Sequence, residues 1–181
     1  MRPEYSLWLM PCAADAAELQ ALVDALAPQF GQPAFVPHVT IQGDLALPLD
    51  AVATYARQLA AACPVQTWLV HDVERRNFFF RCLYLRFAGN AAFDALQRQA
   101  QAWSGMADGL SPYPHLSLAY GEFDGQVQPQ RLALFESLRA RFAGRRLVFD
   151  HLAVCLSSKD TPIADWRCVA DVPLLPVAAG N

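Results

Sequence analysis

Two short stretches of this chain carry the same pattern, Val36-Pro37-His38-Val39-Thr40-Ile41 and Tyr113-Pro114-His115-Leu116-Ser117-Leu118. In each, Pro precedes His, and an aliphatic, a hydroxyl residue and a second aliphatic follow. Side chains alternate along a strand with a period of two, so His38 and Thr40 share one face, as do His115 and Ser117. The aliphatics then fall on the opposite face, which can be buried. Proline suits the first residue of a strand, where no ladder donor is missed. Each copy therefore predicts an imidazole and a hydroxyl side by side on a rigid support. One such motif alone reads as a half-buried histidine bonded to a neighbour. The matched pair points to function.

Imidazole titrates near pH 6.5, so of two histidines one can be neutral and the other protonated. A neutral ring removes a proton from water; a protonated one gives a proton to a leaving oxygen. Displacement at phosphorus needs both groups, because the attacking and leaving oxygens lie roughly in line. Histidines on opposite walls of a cleft reach both oxygens. Thr40 and Ser117 would donate hydrogen bonds to the non-bridging oxygens, where charge builds up. This scheme requires no metal and no cofactor.

The rest of the chain supplies the scaffold. Residues 5–10 read as a strand, closed by Pro11. Residues 15–27 read as a helix, with Leu19, Leu22, Val23 and Leu26 on one face. The first motif strand spans 35–42, and Gly43-Asp44 reads as a turn. A second helix runs from about 49 to 62, with Val52, Tyr55 and Leu59 on one side. Strands are expected at 65–73 and 77–87, joined by a hairpin connection through Glu74-Arg75-Arg76-Asn77. A third helix covers 91–103 and is followed by a loop over 104–114. The second motif strand runs on to Tyr120. A fourth helix covers 128–142, and strands at 147–156 and 166–172 close the chain, with fraying expected after Pro176. Each half thus has a strand pair following a helix. The fold class expected is α+β: two pseudo-symmetric lobes, each an antiparallel sheet with helices outside, and a cleft between them. Residues 1–181 form a single bilobed domain in this reading.

The chain has 181 residues, 54% of them hydrophobic and 17% charged, which indicates a globular protein. A net charge of −3 argues against a long nucleic-acid duplex as partner, since backbone binding needs clustered Lys and Arg. No apolar run approaches a membrane span. No signal h-region stands out, so a cytoplasmic, monomeric protein with no membrane partner is expected. The five Cys form no CxxC and are expected to be reduced and mostly buried. Phe78, Phe79 and Phe80 read as core aromatics of a strand, with one of them, or Trp8, allowed to touch a base. Arg75, Arg76 and Arg81 are candidates for attracting a phosphate, and 157–160 for a flap or a solvated loop. His71 and His151 lack a hydroxyl partner and read as structural or surface residues.

The motifs PHVTI and PHLSL resemble the paired HxT/S motifs of the two-histidine phosphoesterases, the LigT-like superfamily, and within it the plant and fungal cyclic phosphodiesterases. Further stretches resemble that family in order: Tyr5-Ser6-Leu7-Trp8 with Pro11, Asn77-Phe78-Phe79-Phe80-Arg81-Cys82, the region 112–120, and Leu152-Ala153-Val154-Cys155 followed by Trp166. The resemblance implies metal-independent hydrolysis of small cyclic phosphates by His38 and His115, with Thr40 and Ser117 on the phosphate. Nucleoside 2′,3′-cyclic phosphates opened to 2′-phosphates, and ADP-ribose 1″,2″-cyclic phosphate, are the substrates it suggests. It also implies substrate contacts for Tyr120 and Trp8. Strict alternation puts Tyr120 opposite His115, so the strand must end or twist just before it. Two alternatives stay open. One is action on RNA 3′ ends as a LigT-type 2′,3′-cyclic phosphodiesterase or 2′,5′-ligase. The other is a nucleotide- or RNA-binding module without catalysis.

Overall fold

The structure is a computed structural model that describes residues 3–122 and 129–176. The described residues form seven strands and four α-helices, in the order β1 (Tyr5–Pro11), α1 (Ala13–Leu26), β2 (Val39–Leu45), α2 (Leu49–Ala60), β3 (Gln66–Arg75), β4 (Leu83–Phe87), α3 (Ala91–Ser104), β5 (His115–Ala119), α4 (Pro129–Phe142), β6 (Arg146–Leu156) and β7 (Arg167–Pro173). The helices bury the faces their spacing predicts. Leu19, Val23 and Leu26 of α1 are buried, as are Val52, Tyr55 and Leu59 of α2. In α3, Asn90 caps the N-terminus by accepting from the Ala92 and Phe93 amides, and Gly105 ends the helix in the left-handed region.

The strand pairings are antiparallel, and the sheet runs β2-β1-β6-β3-β4-β5 with β7 on β6. Strand β3 joins its two halves. Gln66–Leu69 pairs with β6, and Val70–Arg75 pairs with β4. The motif strands β2 and β5 end this path, yet they lie against each other. Helices hold them there by crossing over: α1, which follows β1, packs on β5, and α3, which follows β4, packs on β2. Gln97 of α3 donates to the Ile41 carbonyl of β2 at 3.1 Å. The aliphatic faces of both motifs close into one core, in which Val39, Ile41, Leu116 and Leu118 are fully buried.

Four local expectations change. Strand β2 begins at Val39 rather than 35, so Pro37 and His38 precede it, and the turn expected at Gly43-Asp44 lies inside the strand. The register against β1 shifts there and Asp44 has φ 53°, the mark of a bulge that absorbs turn-forming residues without ending the strand. Of the strand expected over 77–87, only Leu83–Phe87 forms. Residues Phe79–Arg81 make a 3₁₀ turn instead, stabilised by Arg81 N–H donating to the Phe78 carbonyl at 2.9 Å. Three consecutive aromatics would have placed apolar rings on both faces of a strand; in the turn Phe78 is 49% exposed. Finally, Cys155 and Cys168 are not reduced but disulfide-bonded, because β6 and β7 set them directly opposite each other. Cys12, Cys63 and Cys82 are free thiols. The fraying expected after Pro176 and the helix start at Gln128 lie outside the described residues. Among the described residues no helix is long and apolar enough to cross a membrane.

The loop between α3 and β5 docks on β2. Gln42 is fully buried and its amide donates to the carbonyls of Met106 and Asp108. The Gly43 amide donates to the Gly109 carbonyl at 2.8 Å. Gly109 has φ +74°, and a Cβ on it would collide with the Gly43 backbone. Gly109→Ala should therefore lower stability by on the order of 2 kcal/mol or more. Gly89→Ala, where a Cβ meets nothing within 4 Å, should be nearly silent. Urea denaturation of both variants checks this; equal midpoints would show that the loop does not need the close approach.

Candidate active site

Both motifs open into one cavity of about 210 Å³, lined among others by Trp8, His38, Thr40, His115, Ser117 and Tyr120. All six residues anticipated from the sequence are thus brought together. Strand pairing accounts for the placement. Trp8 pairs with Thr40 across β1–β2, and His38, two residues before Thr40, lies on the same side. The Trp8 and His38 rings stack, with centroids 3.5 Å apart and planes 7° from parallel. On the other wall, His115 and Ser117 pair with Arg86 and Tyr84 across β5–β4. Strand β5 ends at Ala119, so Tyr120 escapes the alternation that would have turned it away. It stacks on Phe35 at 3.9 Å.

The two imidazoles are held by the same device. His38 Nδ1 lies 2.6 Å from the Val36 carbonyl oxygen, and His115 Nδ1 lies 3.1 Å from that of Tyr113. A carbonyl only accepts, so each Nδ1 carries the proton and each Nε2 keeps its lone pair when the ring is neutral. Burial pushes His38 down to about 3; the Val36 bond opposes this and the charge of His115 adds to it. Burial likewise pushes His115 down to about 4, opposed by the Tyr113 bond and assisted by Arg81 and Arg86. Both rings are therefore neutral near pH 7, not one neutral and one charged. An anion held between two imidazoles would favour the protonated form.

The hydroxyls differ. Thr40 has no hydrogen-bond partner among the described residues and faces the cavity. Ser117 Oγ donates to the Phe80 carbonyl at 2.8 Å. Its single proton must leave that carbonyl before it can serve a ligand oxygen. Tyr120 is kept protonated, chiefly by burial.

Trp166 was not singled out as a site residue beforehand; it stands 5.8 Å from Trp8, edge to face, and Phe80, one of the aromatics allowed to touch a base, stacks near it at 6.1 Å. Arg81, a candidate from the sequence, lines the cavity, whereas Arg75 and Arg76 do not. The loop over 157–165 is neither a flap nor merely solvated. Ser157 and Ser158 are buried, Ser6 Oγ donates to the Ser157 carbonyl, the Lys159 amide donates to Asp44, and the Trp166 indole donates to the Thr161 carbonyl. Hydrogen-bond partners this distant in sequence leave no local signal. His71 is exposed and His151 pairs with Asp150 at 2.7 Å; neither lines the cavity. Among the described residues no three His, Cys, Asp or Glu group as metal ligands.

With its end strands each presenting a His-x-hydroxyl motif to a shared cleft, this chain is similar in sequence to a cyclic phosphodiesterase and in fold to LigT-like phosphoesterases. It is 25% identical over 173 residues to the Arabidopsis thaliana protein named cyclic phosphodiesterase, covering 95% of this chain and 96% of that one. Its fold matches that of E. coli LigT, with a TM-score of 0.59, 12% identity, and coverage of 96% and 98% of the two chains. It also matches TT0787 of Thermus thermophilus, with a TM-score of 0.63, 13% identity, and coverage of 94% and 97%. No family model matches the chain.

Buried neutral histidines make stability depend on pH. Both rings are depressed below their unfolded value near 6.5, so between that value and their folded values the unfolded chain binds more protons. Stability is fully present above pH 6.5 and is lost as pH falls toward 4. Glu18, held down to about 2 chiefly by Arg145, adds to this loss only below its own unfolded value of 4.5. The window from pH 6.5 to 4.5 therefore isolates the histidines. Urea midpoints should fall across it in the wild type and fall less steeply in His38→Asn or His115→Asn. Parallel slopes would mean the rings are not held neutral by the fold.

Proposed function

We propose that this chain hydrolyses small cyclic phosphodiesters by paired acid–base catalysis of His38 and His115. The observation that carries the reading is the twin arrangement of the rings: both line one cavity, and each has Nδ1 fixed on a carbonyl so that Nε2 is left for chemistry. One Nε2 takes a proton from water as its oxygen attacks phosphorus. The other ring, protonated once the phosphate is bound, gives a proton to the leaving oxygen as the P–O bond breaks. For a nucleoside 2′,3′-cyclic phosphate, water adds to phosphorus, O3′ leaves with the proton, and a 2′-phosphate results. ADP-ribose 1″,2″-cyclic phosphate would open by the same step. Thr40, whose hydroxyl has no partner among the described residues, donates to a non-bridging oxygen; Ser117 joins after releasing Phe80. Trp8 packs on the His38 ring, and Tyr120 on the cavity wall contacts the substrate.

The similarity to a protein named cyclic phosphodiesterase over nearly the whole chain supports the substrate class. Solved structures of E. coli LigT complexed with 3′-AMP and with ATP support a nucleotide as the ligand of this fold.

Purified protein should open nucleoside 2′,3′-cyclic phosphates at an unchanged rate in EDTA. His38→Ala and His115→Ala should each lose about 10²–10⁴-fold in kcat. Thr40→Val should lose less, and Ser117→Ala less again, because its proton is already committed to Phe80. Loss of turnover on chelation, or a histidine variant near wild type, would remove the scheme. Tight binding without turnover of any cyclic phosphate would leave a nucleotide-binding module.

A further inference from the structure

The two ends of the cleft differ in chemistry. Around His38 the wall is aromatic, built from Trp8, Phe80, Tyr120 and Trp166, while Asp44 and Lys159 line the cavity farther along β2. Beside His115 it is cationic. Arg86 is the cross-strand partner of His115, and the Tyr113 ring lies 5.8 Å from the His115 ring. Three guanidinium groups gather on Tyr113, at 3.5 Å for Arg86, 5.5 Å for Arg81 and 5.6 Å for Arg76. Glu74 is the acid in this group, engaged by the Tyr84 hydroxyl at 2.6 Å; Tyr84 also bonds Arg76 at 3.1 Å and Tyr113 at 3.0 Å. Among the described residues, none of these three arginines has a carboxylate within salt-bridge distance, whereas Arg139, Arg141 and Arg145 each do.

Stacking on an aromatic face stabilises a guanidinium by about 0.5–2 kcal/mol but leaves its charge unneutralised. It also leaves the N–H edge free for the bidentate bonds by which arginine takes phosphate. Three like charges crowded on one ring repel each other, and a bound anion relieves that repulsion. Arg81 lines the cavity itself, and Arg76 is exposed. The cluster therefore opens to solvent one ring away from His115.

We propose that Arg76, Arg81 and Arg86, arrayed on Tyr113, form a subsite for a second, non-reacting phosphate of the substrate. The preferred substrates are then cyclic phosphates that carry a further phosphate, either a terminal 5′-phosphate or an internucleotide linkage, rather than bare nucleoside cyclic phosphates. This rests on the proposed function: the cyclic phosphate lies between the histidines, and the second phosphate extends past His115 toward Tyr113. The aromatic end around His38 is left for the base.

Kinetics with three substrates test it: adenosine 2′,3′-cyclic phosphate, its 5′-phosphorylated form, and a dinucleotide ending in a 2′,3′-cyclic phosphate. At least one of the two longer substrates should have a kcat/KM about tenfold or more above the bare one, carried by KM. A gain confined to the 5′-phosphorylated form assigns the subsite to a terminal phosphate; a gain confined to the dinucleotide assigns it to a linkage. In the Arg76→Gln/Arg86→Gln protein the ratio should fall to near one. Equal kcat/KM for all three in the wild type, or an unchanged ratio in the double variant, would overturn the proposal. Calorimetry gives a second reading without turnover. Adenosine 2′,5′-bisphosphate should bind tighter than adenosine 2′-monophosphate, and Arg86→Gln alone should remove the difference. If no cyclic phosphate is hydrolysed, the hydrolase reading fails, and the calorimetric comparison still decides the subsite.

Discussion

The structure depends on bringing together two strands that end the same sheet. β2 and β5 have no ladder bonds to each other, so backbone pairing cannot join them. Side-chain packing does. Each motif strand buries its aliphatic face in the common core, and each is backed by a helix that follows a strand of the other half. The hydrophobic term that stabilises the fold thereby also fixes the separation of the cleft walls. Loops complete the arrangement at a single dipeptide. Gly43 receives the loop before β5 and Asp44 receives the loop after β6, so one bulge in β2 anchors both rims of the cavity.

Burial has a second consequence at the histidines. Withdrawal from water favours the neutral form of both rings. The carbonyls of Val36 and Tyr113 offset part of that cost while fixing which nitrogen is free. The result is a pair of rings that are both neutral near pH 7. The charges of Arg81 and Arg86 beside His115 act in the same direction as burial. Trp8 packs flat against one face of the His38 ring.

Much of this was legible in the chain. Alternation in the two motifs predicted which side chains share a face, and the helical spacings predicted the buried stripes of α1 and α2. Reading failed where the outcome is set by partners remote in sequence. The aromatic triplet 78–80 reads as a strand by composition, but residues Phe79–Arg81 turn because Phe78 and Arg81 satisfy each other across that turn. Gly43-Asp44 reads as a turn by composition, but the ladder with β1 carries the strand through it as a bulge. The disulfide depends on register between β6 and β7, which spacing does not reveal. The arginine cluster was half visible: Arg76 and Arg81 stood out, whereas Arg86 joins them only because β4 aligns it with His115.

By itself the sequence determined the periodicities, the pairing of imidazole with hydroxyl, and the class of chemistry that such a pair can perform, because these are properties of neighbouring residues along one backbone. Tertiary structure alone decided that both pairs face one cavity, that both rings are neutral near pH 7, that Ser117 is engaged by a carbonyl while Thr40 faces the cavity, and that one end is aromatic and the other cationic. Those facts depend on distances across the fold and on exclusion of water, and neither is encoded in any single segment.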